Sequence, residues 1–542
     1  MKDIDHSGVR SYFKMVFSPP VLFVLILAIG LGLRICKLST NELWLDEAHS
    51  IFIAGSSLAE TVENLKHDSH PPLYFALMLA WKGLFGESEL SVRMLSVSFG
   101  MASLGAVYWL GSRLANRSLG LAAAFVAAIA PLHVYYSQEG RMYIMLAFFS
   151  SVASGFLWLS VKHDKKRYWW GYTLAAACLV YTHVFGWFAL PAANAFLLLK
   201  KERRLFKKLL FHQIIVAFLF LPWVPILPQQ TGQTGLWMRP WWQATPPALA
   251  IPKTLECFGA GGNYPRYLGF FHVSSLRYIS YAVFAFLGIV ALAPMRDRSL
   301  VAEPSATEPP PTGSHPADPS EVRSVKTYLL LNLFVPLVLP YAISFVKPIY
   351  LVGRNDLIAY PFYALLIGIG IVKLARFAWV GVIFISLLAA YSFSRLYSIP
   401  NDGIDKETVE YLAHEARVND VVIVMGLRFC TIDYYMRREG ARFRIITYPA
   451  SMRQHPGWID YRLTRKELAR DAVDATVSAI AETPPDRPVW LLLYSFDLTS
   501  ASGGNRFEQA VSDQLNRHFW VSGSNDKLGV IRLKQKNQPS SY

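Results

Sequence analysis

The sequence predicts a polytopic α-helical membrane protein, with about 11–13 transmembrane helices, that ends in a soluble α/β domain. Of its 542 residues, 53% are hydrophobic and 14% aromatic, whereas only 17% are charged. Soluble chains carry about 25% charged residues, so lipid must be the solvent for much of this chain. Long apolar runs recur up to residue 396, after which short segments of alternating character begin.

Eleven segments approach the length of a membrane span, which needs about 17–25 residues. They lie near residues 21–38, 90–111, 118–136, 142–161, 168–182, 184–199, 209–227, 276–294, 326–346, 356–373 and 377–396. A further apolar stretch, 71–85, begins with two prolines and contains Lys82. This stretch is either a short span or a helix that lies in the membrane interface.

The basic residues decide between these alternatives. If 71–85 lies in the interface and the N-terminus is cytoplasmic, five basic clusters fall inside; if it spans, all five fall outside. The clusters are at 113–117, 162–167, 200–208, 295–298 and 373–376. Cytoplasmic loops are enriched in Lys and Arg. We therefore expect eleven spans, external loops at 39–89 and 228–275, and a disordered cytoplasmic linker at 301–324, which is rich in proline and small polar residues.

The net charge of +15 arises largely from these loop clusters and therefore does not indicate nucleic-acid binding. The four cysteines have no paired spacing, so we expect unpaired thiols and neither a zinc site nor a disulfide framework.

Residues 399–542 are predicted to form an external α/β domain that follows the membrane module 1–398. Strand-like runs at 420–426, 443–448, 488–496 and 528–533 alternate with helix-like runs at 405–416, 464–483 and 507–519. This alternation indicates a largely parallel sheet. No glycine-rich phosphate loop joins a strand to a helix there, so we assign this domain no chemistry.

Ionisable residues gather at the predicted external membrane edges. They are Asp46, Glu47, His49, His67, Asp68, His70, Glu139, Arg141, His183 and Arg354. Such groups are costly near lipid unless they face a cavity and find partners there. Their accumulation on one side of the membrane predicts a functional site.

Asp46 and Glu47 follow the first span directly and are the candidate catalytic residues. On a helix, adjacent side chains diverge by about 100°, so we expect the two carboxylates to have different roles. A carboxylate in a partly desolvated cavity can take a proton from a hydroxyl group or hold a divalent metal. Acidic residues also favour helix N-termini, which is the structural alternative. We favour Asp46 as the base.

His49, His70, Tyr74, Glu139, Arg141 and His183 are the further candidates for the cavity and its substrate. His70 precedes two prolines and could be a ligand or a hydrogen-bonded structural histidine. Tyr74 could equally be an interfacial anchor. Glu139 and Arg141 could pair only with each other, and His183 could be an ordinary helix-end histidine. A divalent metal held by Glu139 and His183 is permitted, although no recognisable ligand spacing marks it.

Arg354 begins a late predicted span. A guanidinium group suits bidentate recognition of phosphate, and a phosphate at this depth would belong to a lipid head group. The structural alternative is an arginine that reaches toward the membrane surface.

Six motifs together resemble the bacterial family-39-like membrane glycosyltransferases of the C-type superfamily, relatives of protein O-mannosyltransferases and of lipid A aminoarabinose transferases. The motifs are WLDEAHS at 44–50, HPPLY at 70–74, SELSVRMLSVSFG at 88–100, YYSQEGRMY at 135–143, YTHVFG at 181–186 and GRNDLIAYP at 353–361. The resemblance covers roughly residues 15–396.

This resemblance implies a polyprenyl-phosphate-linked monosaccharide as donor and a lipid, glycan or protein acceptor at the external face of the bacterial cytoplasmic (inner) membrane. It maps the catalytic carboxylate to Asp46, with Glu47 beside it, and implies transfer with inversion and without a nucleotide. Arg354, helped by Arg93, is expected to meet the donor phosphate. The family more often has an arginine-tyrosine pair where this chain has Arg354 and Asn355.

Two other classes of function fit a multi-span chain with charged membrane edges. A transporter or flippase of a lipid-linked sugar would show inverted repeats with broken spans, and the sequence has no such internal symmetry. In a non-catalytic subunit of an envelope-assembly complex, the carboxylates would only cap helices.

Overall fold

The computed structural model of the chain describes residues 18–230, 238, 242, 245–261, 274–294, 319–398, 403–453, 463–493 and 504–536. Most of the predicted linker 301–324 and parts of the predicted loop 228–275 lie outside the described residues. Up to residue 396 the described chain is helical, and beyond it follows an α/β unit. The predicted fold class is therefore confirmed.

The helices of the first part include all the predicted spans. They are α1 (Pro19–Ile35), α2 (Leu45–Ala54), α3 (Leu58–Leu65), α4 (Leu73–Phe85), α5 (Glu89–Leu114), α6 (Arg117–Ile129), α7 (Pro131–Ser137), α8 (Tyr143–His163), α9 (Lys166–Thr182), α10 (Ala189–Leu199), α11 (Arg203–Phe220), α12 (Ala250–Ala260), α13 (Ser274–Leu292), α14 (Pro319–Ile343), α15 (Tyr360–Lys373) and α16 (Ala378–Leu396).

Length and composition support a membrane location for these helices. Within the described part of the chain, six helices are long and apolar enough to cross a membrane, and the bent pair α6 and α7 makes a seventh. Three of the shorter predicted spans are apolar helices of 10–17 residues, and 168–182 coincides with α9. Large apolar side chains such as Phe218, Ile289 and Leu387 are more than 60% exposed, as expected of surfaces that face lipid. The interfacial position of α4 stays a prediction.

The span α6–α7 is broken at Pro131, where the two helices meet at an angle of 67°. Proline removes a backbone donor and favours such a break. The completely buried Arg34 of α1 donates to the Ala128 and Ala127 carbonyls at 3.1 and 3.3 Å, and contacts His133 Nδ1 at 2.7 Å. Arg34 thereby satisfies carbonyl groups that the break leaves without helical partners.

In its described residues, the α/β unit contains four α-helices and a five-stranded sheet in the order β2-β1-β3-β5-β4. Its helices are α17 (Asp405–Glu415), α18 (Phe429–Glu439), α19 (Arg465–Glu482) and α20 (Gly504–His518), and its strands are β1 (Val421–Met425), β2 (Arg444–Tyr448), β3 (Val489–Leu492), β4 (Phe519–Asn525) and β5 (Val530–Gln535). Strands β1, β2 and β3 are parallel, whereas β5 pairs antiparallel with both β3 and β4.

Three details differ from the sequence-based predictions. The sheet is mixed and not largely parallel, because β4 and β5 form an antiparallel hairpin. Strand β4 ends in Ser, Gly and Asn, residues typical of turns. Helix α18 was not expected, since its sequence FCTIDYYMRRE contains several residues that favour strands. Helix α14 already begins at Pro319, so residues 319–324 of the predicted linker are helical.

Candidate active site

Helix α2 carries both candidate carboxylates in its first turn. Acidic groups at this position are stabilised by the unpaired N–H groups and the dipole of the helix. The two side chains then diverge, as expected for neighbours on a helix. Glu47 is buried, whereas the Asp46 side chain is 16% exposed.

Glu47 is held inside the protein by Arg93 of α5. Arg93 donates to both carboxylate oxygens of Glu47, at 2.8 and 2.7 Å. Its remaining donors bind the carbonyl oxygens of Leu38, Asn41 and Glu42 at 2.8–2.9 Å. The Gly140 N–H also donates to Glu47, at 3.0 Å.

These contacts bear on two predicted roles, which stay predictions. The Glu47 carboxylate accepts two hydrogen bonds from Arg93, one from the Gly140 N–H and one from the Trp44 N–H. The Arg93 guanidinium is likewise engaged by protein acceptors, which favours a structural role for both residues. The buried pair instead fixes the segment that leads into α2, and removal of one partner would leave an uncompensated charge.

Asp46 meets Arg354 across 308 positions of sequence. The Arg354 guanidinium forms an ion pair with the Asp46 carboxylate, and its Nε donates to the Tyr143 hydroxyl at 2.6 Å. Arg141 donates to the Asp46 carbonyl at 3.3 Å and to the Ser50 hydroxyl at 3.1 Å. Burial alone raises the pKa of Asp46, but the Arg354 and Arg141 charges and the Arg354 hydrogen bond outweigh it and hold that pKa below its ordinary value.

A tight turn presents Arg354 to Asp46. Gly353 has a φ of +71°, which strongly favours glycine. Its carbonyl accepts from the Tyr136 hydroxyl at 2.6 Å, and its N–H donates to the buried Asp356 carboxylate at 2.8 Å. Thr254 of α12 donates to the same carboxylate oxygen at 2.6 Å, so three parts of the chain hold this turn.

A second polar cluster is organised by Asp68. One carboxylate oxygen contacts His49 Nε2 at 2.7 Å, and the other contacts His70 Nδ1 at 2.6 Å. Burial alone raises the pKa of Asp68, but the two imidazoles hold it well below its ordinary value. Burial lowers the pKa of His70, although Asp68 opposes the shift.

His183 joins the two clusters. Its ring centroid is 5.2 Å from that of His70 and 6.0 Å from that of Tyr143. Burial and the nearby His70 and Arg141 lower the pKa of His183 well below its ordinary value, so the ring is neutral at pH 7. Its Nδ1 accepts the Phe185 N–H at 3.1 Å, which leaves the proton on Nε2.

Several polar atoms around this site are buried without a hydrogen-bond partner in the described part of the chain. They are His49 Nδ1, Tyr74 Oη, Glu139 Oε2, Arg141 Nε and His183 Nε2. An unsatisfied buried polar group costs about 1–3 kcal/mol, and such groups are rare in native proteins. These five groups around the Asp46–Arg354 pair are therefore available to hydrogen-bond with water or with a polar ligand.

Glu139 differs from Asp46 in its protonation. Burial, together with the nearby Asp46 and Glu47 charges, raises the pKa of Glu139 to about 8 against the opposing charges of Arg354 and Arg141. The site therefore combines an ionised carboxylate with a carboxylic acid that is largely protonated at pH 7. Two carboxyl groups with separated pKa values are typical of acid–base sites.

The structure thus unites most of the predicted site residues. His67 lies apart from the network, in the turn after α3, where its backbone N–H donates to the Asn64 carbonyl. Among the described residues no three His, Cys, Asp or Glu side chains are grouped to hold a metal ion, and the metal at Glu139 and His183 stays a prediction. The prediction missed Tyr143 and Asp356, although both belong to the quoted motifs.

Comparison with known proteins supports the predicted resemblance to the C-type membrane glycosyltransferases. Residues 69–227 match the family model of dolichyl-phosphate-mannose-protein mannosyltransferases. No curated protein sequence matches the chain.

Solved structures show the same fold over nearly the whole chain. The crystal structure of ArnT from Cupriavidus metallidurans in the apo state superposes with a TM-score of 0.56 and 11% identity, covering 94% of this chain and 97% of ArnT. The same protein bound to undecaprenyl phosphate gives a TM-score of 0.56, 10% identity and the same coverage. At this identity the likeness establishes the fold alone.

Proposed function

We propose that the protein transfers a monosaccharide from a polyprenyl-phosphate donor to an acceptor at the external face of the bacterial cytoplasmic (inner) membrane. The observation that carries this proposal is the pairing of Asp46 with Arg354 among buried polar atoms that have no partner in the described residues. The matched family model describes transferases that use dolichyl-phosphate-mannose, and ArnT binds undecaprenyl phosphate. Both support a lipid-phosphate donor.

In the proposed reaction the donor phosphate binds Arg354 and displaces the Asp46 carboxylate from it. The released Asp46 accepts the proton of the acceptor hydroxyl, whose oxygen attacks the anomeric carbon. The bond between that carbon and the phosphate oxygen breaks, and its electron pair leaves with the phosphate. Arg354 and Arg141 stabilise the charge that develops on the leaving group. Attack opposite the leaving group inverts the anomeric configuration.

This mechanism assigns tasks to Arg141, His183 and His49. Arg141 Nε and His183 Nε2 are free donors for the phosphate or for sugar hydroxyl groups. His49 Nε2 contacts the Asp68 carboxylate, and His49 Nδ1, which has no partner among the described residues, can bind a hydroxyl group. No step requires a nucleotide or a metal. Lipid, glycan and protein acceptors all remain compatible with the proposal, and no structural observation favours a transporter or a non-catalytic subunit.

Transfer of radiolabelled sugar from a polyprenyl-phosphate donor into membrane extracts tests the proposal. We expect the wild type to transfer label and Asp46→Asn to be slower by about 10²–10⁴-fold, because the base is lost. Glu63→Gln is the matched control, since Glu63 lies on the exposed face of α3, where it pairs with Lys66. Full activity of Asp46→Asn would rule out the base assignment, and an inactive wild type would contradict the proposed function.

A further inference from the structure

We propose that the C-terminal α/β unit is a positioning element for catalysis, in which helix α18 holds the segment that carries Asp46. This inference rests on the proposed function for its catalytic meaning, but its structural part can be tested separately. We call residues 38–47 the acidic segment.

The first contact of α18 is made to the backbone of the acidic segment. The Tyr435 hydroxyl accepts the Leu43 N–H at 2.8 Å. Leu43 is completely buried and comes immediately before Trp44, from which α2 starts. A buried backbone N–H needs a partner, and here a side chain from the C-terminal unit supplies it.

A second contact comes from helix α17. The Glu42 side chain accepts the backbone N–H groups of Asp405 and Lys406, at 3.3 and 3.0 Å. These groups belong to the first turn of α17, where N–H groups lack helical partners and a carboxylate is favoured. The C-terminal unit therefore binds two consecutive residues of the acidic segment.

The opposite side of the acidic segment is bound by the membrane module. Arg93 donates hydrogen bonds to the backbone carbonyl groups of Leu38, Asn41 and Glu42. The Glu42 carbonyl thus binds Arg93 of α5, whereas the Glu42 side chain binds the first turn of α17. The acidic segment is enclosed between a membrane helix and the C-terminal unit, and neither side alone supplies all of its hydrogen bonds.

Charged side chains at the edge of this interface fix α18 relative to α5. Arg438 pairs with Glu89, and Arg437 pairs with Glu87 at 3.0 Å. The Tyr434 hydroxyl donates to the Glu87 carbonyl at 2.8 Å. Glu89 lies in the first turn of α5, one helical turn before Arg93. The interface therefore connects directly to the helix that holds Glu47 and the acidic segment.

Apolar packing extends the same interface to α2. The Phe429 ring lies edge-on to Phe52, with centroids 6.2 Å apart. Phe429 is the first residue of α18, and Phe52 is on α2, whose first turn carries Asp46. The C-terminal unit thus contacts α2 itself as well as the segment before it.

The place where an α/β domain usually binds a ligand is occupied by protein groups in this unit. Ligands favour the carboxyl ends of parallel strands where the strand order reverses, which here is the end of β1. Arg428 fills that position and donates to Asp405 at 2.6 Å, and also to the Leu493 and Leu528 carbonyls. Among the described residues, the Arg428 contacts at this edge therefore stabilise the C-terminal unit itself and the start of α18.

A misplacement of about 1 Å at a reacting group can cost about 10²-fold in rate. The contacts that hold Arg354 and Arg141 come from the membrane module. Loosening α18 should therefore lower kcat while the KM for the donor changes little. A general loss of folding would instead lower the amount of active protein.

The first test replaces one hydroxyl group. Tyr435→Phe in the full-length protein should lower kcat about tenfold and change the donor KM by less than twofold. Tyr411→Phe is the matched control, because Tyr411 lies in the same unit but packs against Trp490 of the sheet. Wild-type kcat in Tyr435→Phe would overturn the proposal.

The second test exchanges the charges of one pair. Glu89→Arg and Arg438→Glu should each lower kcat several-fold, because each places like charges together. The double variant E89R/R438E should recover at least half of the wild-type value. A double variant that is no more active than the weaker single variant, at equal protein levels, would contradict the positioning role of α18.

The third test does not depend on catalysis. Hydrogen exchange of a peptide covering residues 38–47 should be faster in Tyr435→Phe than in the wild type, and unchanged in Tyr411→Phe. Equal exchange in Tyr435→Phe and wild type would overturn the structural part even if no sugar transfer were found. Faster exchange in Tyr435→Phe, together with a wild type that transfers no sugar, would refute the proposed function while leaving the structural role of α18 intact.

Discussion

At the scale of single residues, the site shows what a sequence can and cannot specify. Asp46 and Arg354 could be selected because charged groups at membrane edges are costly without a purpose. Their direct pairing could not be derived, since nothing in the spacing of residues 308 apart fixes a contact. Glu47 and Arg93 are also a carboxylate and a guanidinium, like Asp46 and Arg354. Only the hydrogen bonds from Arg93 to the carbonyl groups of Leu38, Asn41 and Glu42 indicate that this second pair has a structural role.

The protonation of Glu139 leads to a prediction for pH dependence. Its pKa is raised to about 8 in the folded protein, whereas an unfolded glutamate titrates near about 4.3. The folded state therefore retains a proton that the unfolded state loses, and this contribution to stability is present below about pH 4 and is lost as the pH rises through about 8. We expect the Tm of the ligand-free protein to fall between about pH 5 and 8.

Thermal unfolding of Glu139→Gln over the same pH range checks this expectation. The amide cannot ionise, so the variant should show a smaller fall in Tm than the wild type. Glu63→Gln, whose side chain is exposed, provides the control and should follow the wild-type profile. Identical profiles for Glu139→Gln and wild type would show that Glu139 is not a retained acid.

At the scale of elements, apolar length predicts the helices well because it is the property that a bilayer selects. Each of the eleven predicted spans coincides with described helical structure. The mixed sheet and α18 were missed because strand and helix preferences in short segments yield to tertiary packing. The break between α6 and α7 contains a proline, but its stabilisation by Arg34 from another helix is a tertiary feature.

The role of Arg34 leads to a prediction about stability. Arg34→Ala would remove the donor that Arg34 supplies to the Ala127 and Ala128 carbonyls and to His133 Nδ1, at about 1–3 kcal/mol for each group left unsatisfied. We expect the Tm to fall by roughly 5 °C or more. Arg117→Ala at an exposed position should have little effect. Equal Tm values for both variants would contradict this role.

At the scale of the whole molecule, the candidate site is assembled from segments near residues 46, 70, 140, 183 and 354. The resemblance to C-type glycosyltransferases could anticipate that these motifs converge, whereas composition could establish only a membrane protein. The association of α18 with the acidic segment puts the C-terminal unit on the same side as residues 38–89. Its sequence carries no motif for this association, so only the contacts reveal it.

The predicted sidedness can be measured by cysteine labelling with a membrane-impermeant reagent. In a variant with Cys36→Ser, a cysteine introduced at the exposed Glu63 should react in intact cells. A cysteine at the exposed Lys207 should react only after the membrane is opened, because its basic loop is predicted to be cytoplasmic. The reverse pattern would place the site on the cytoplasmic side.

The central claim is that a donor phosphate binds at Arg354, in the place that Asp46 occupies in the free protein. Binding of polyprenyl phosphate to purified variants tests it most directly. Arg354→Gln should bind at least tenfold more weakly than the wild type, which corresponds to about 1.4 kcal/mol or more. Asp46→Asn should bind at least as tightly as the wild type, because the competing carboxylate is gone. Unchanged affinity in Arg354→Gln, or weakened affinity in Asp46→Asn, would contradict this account.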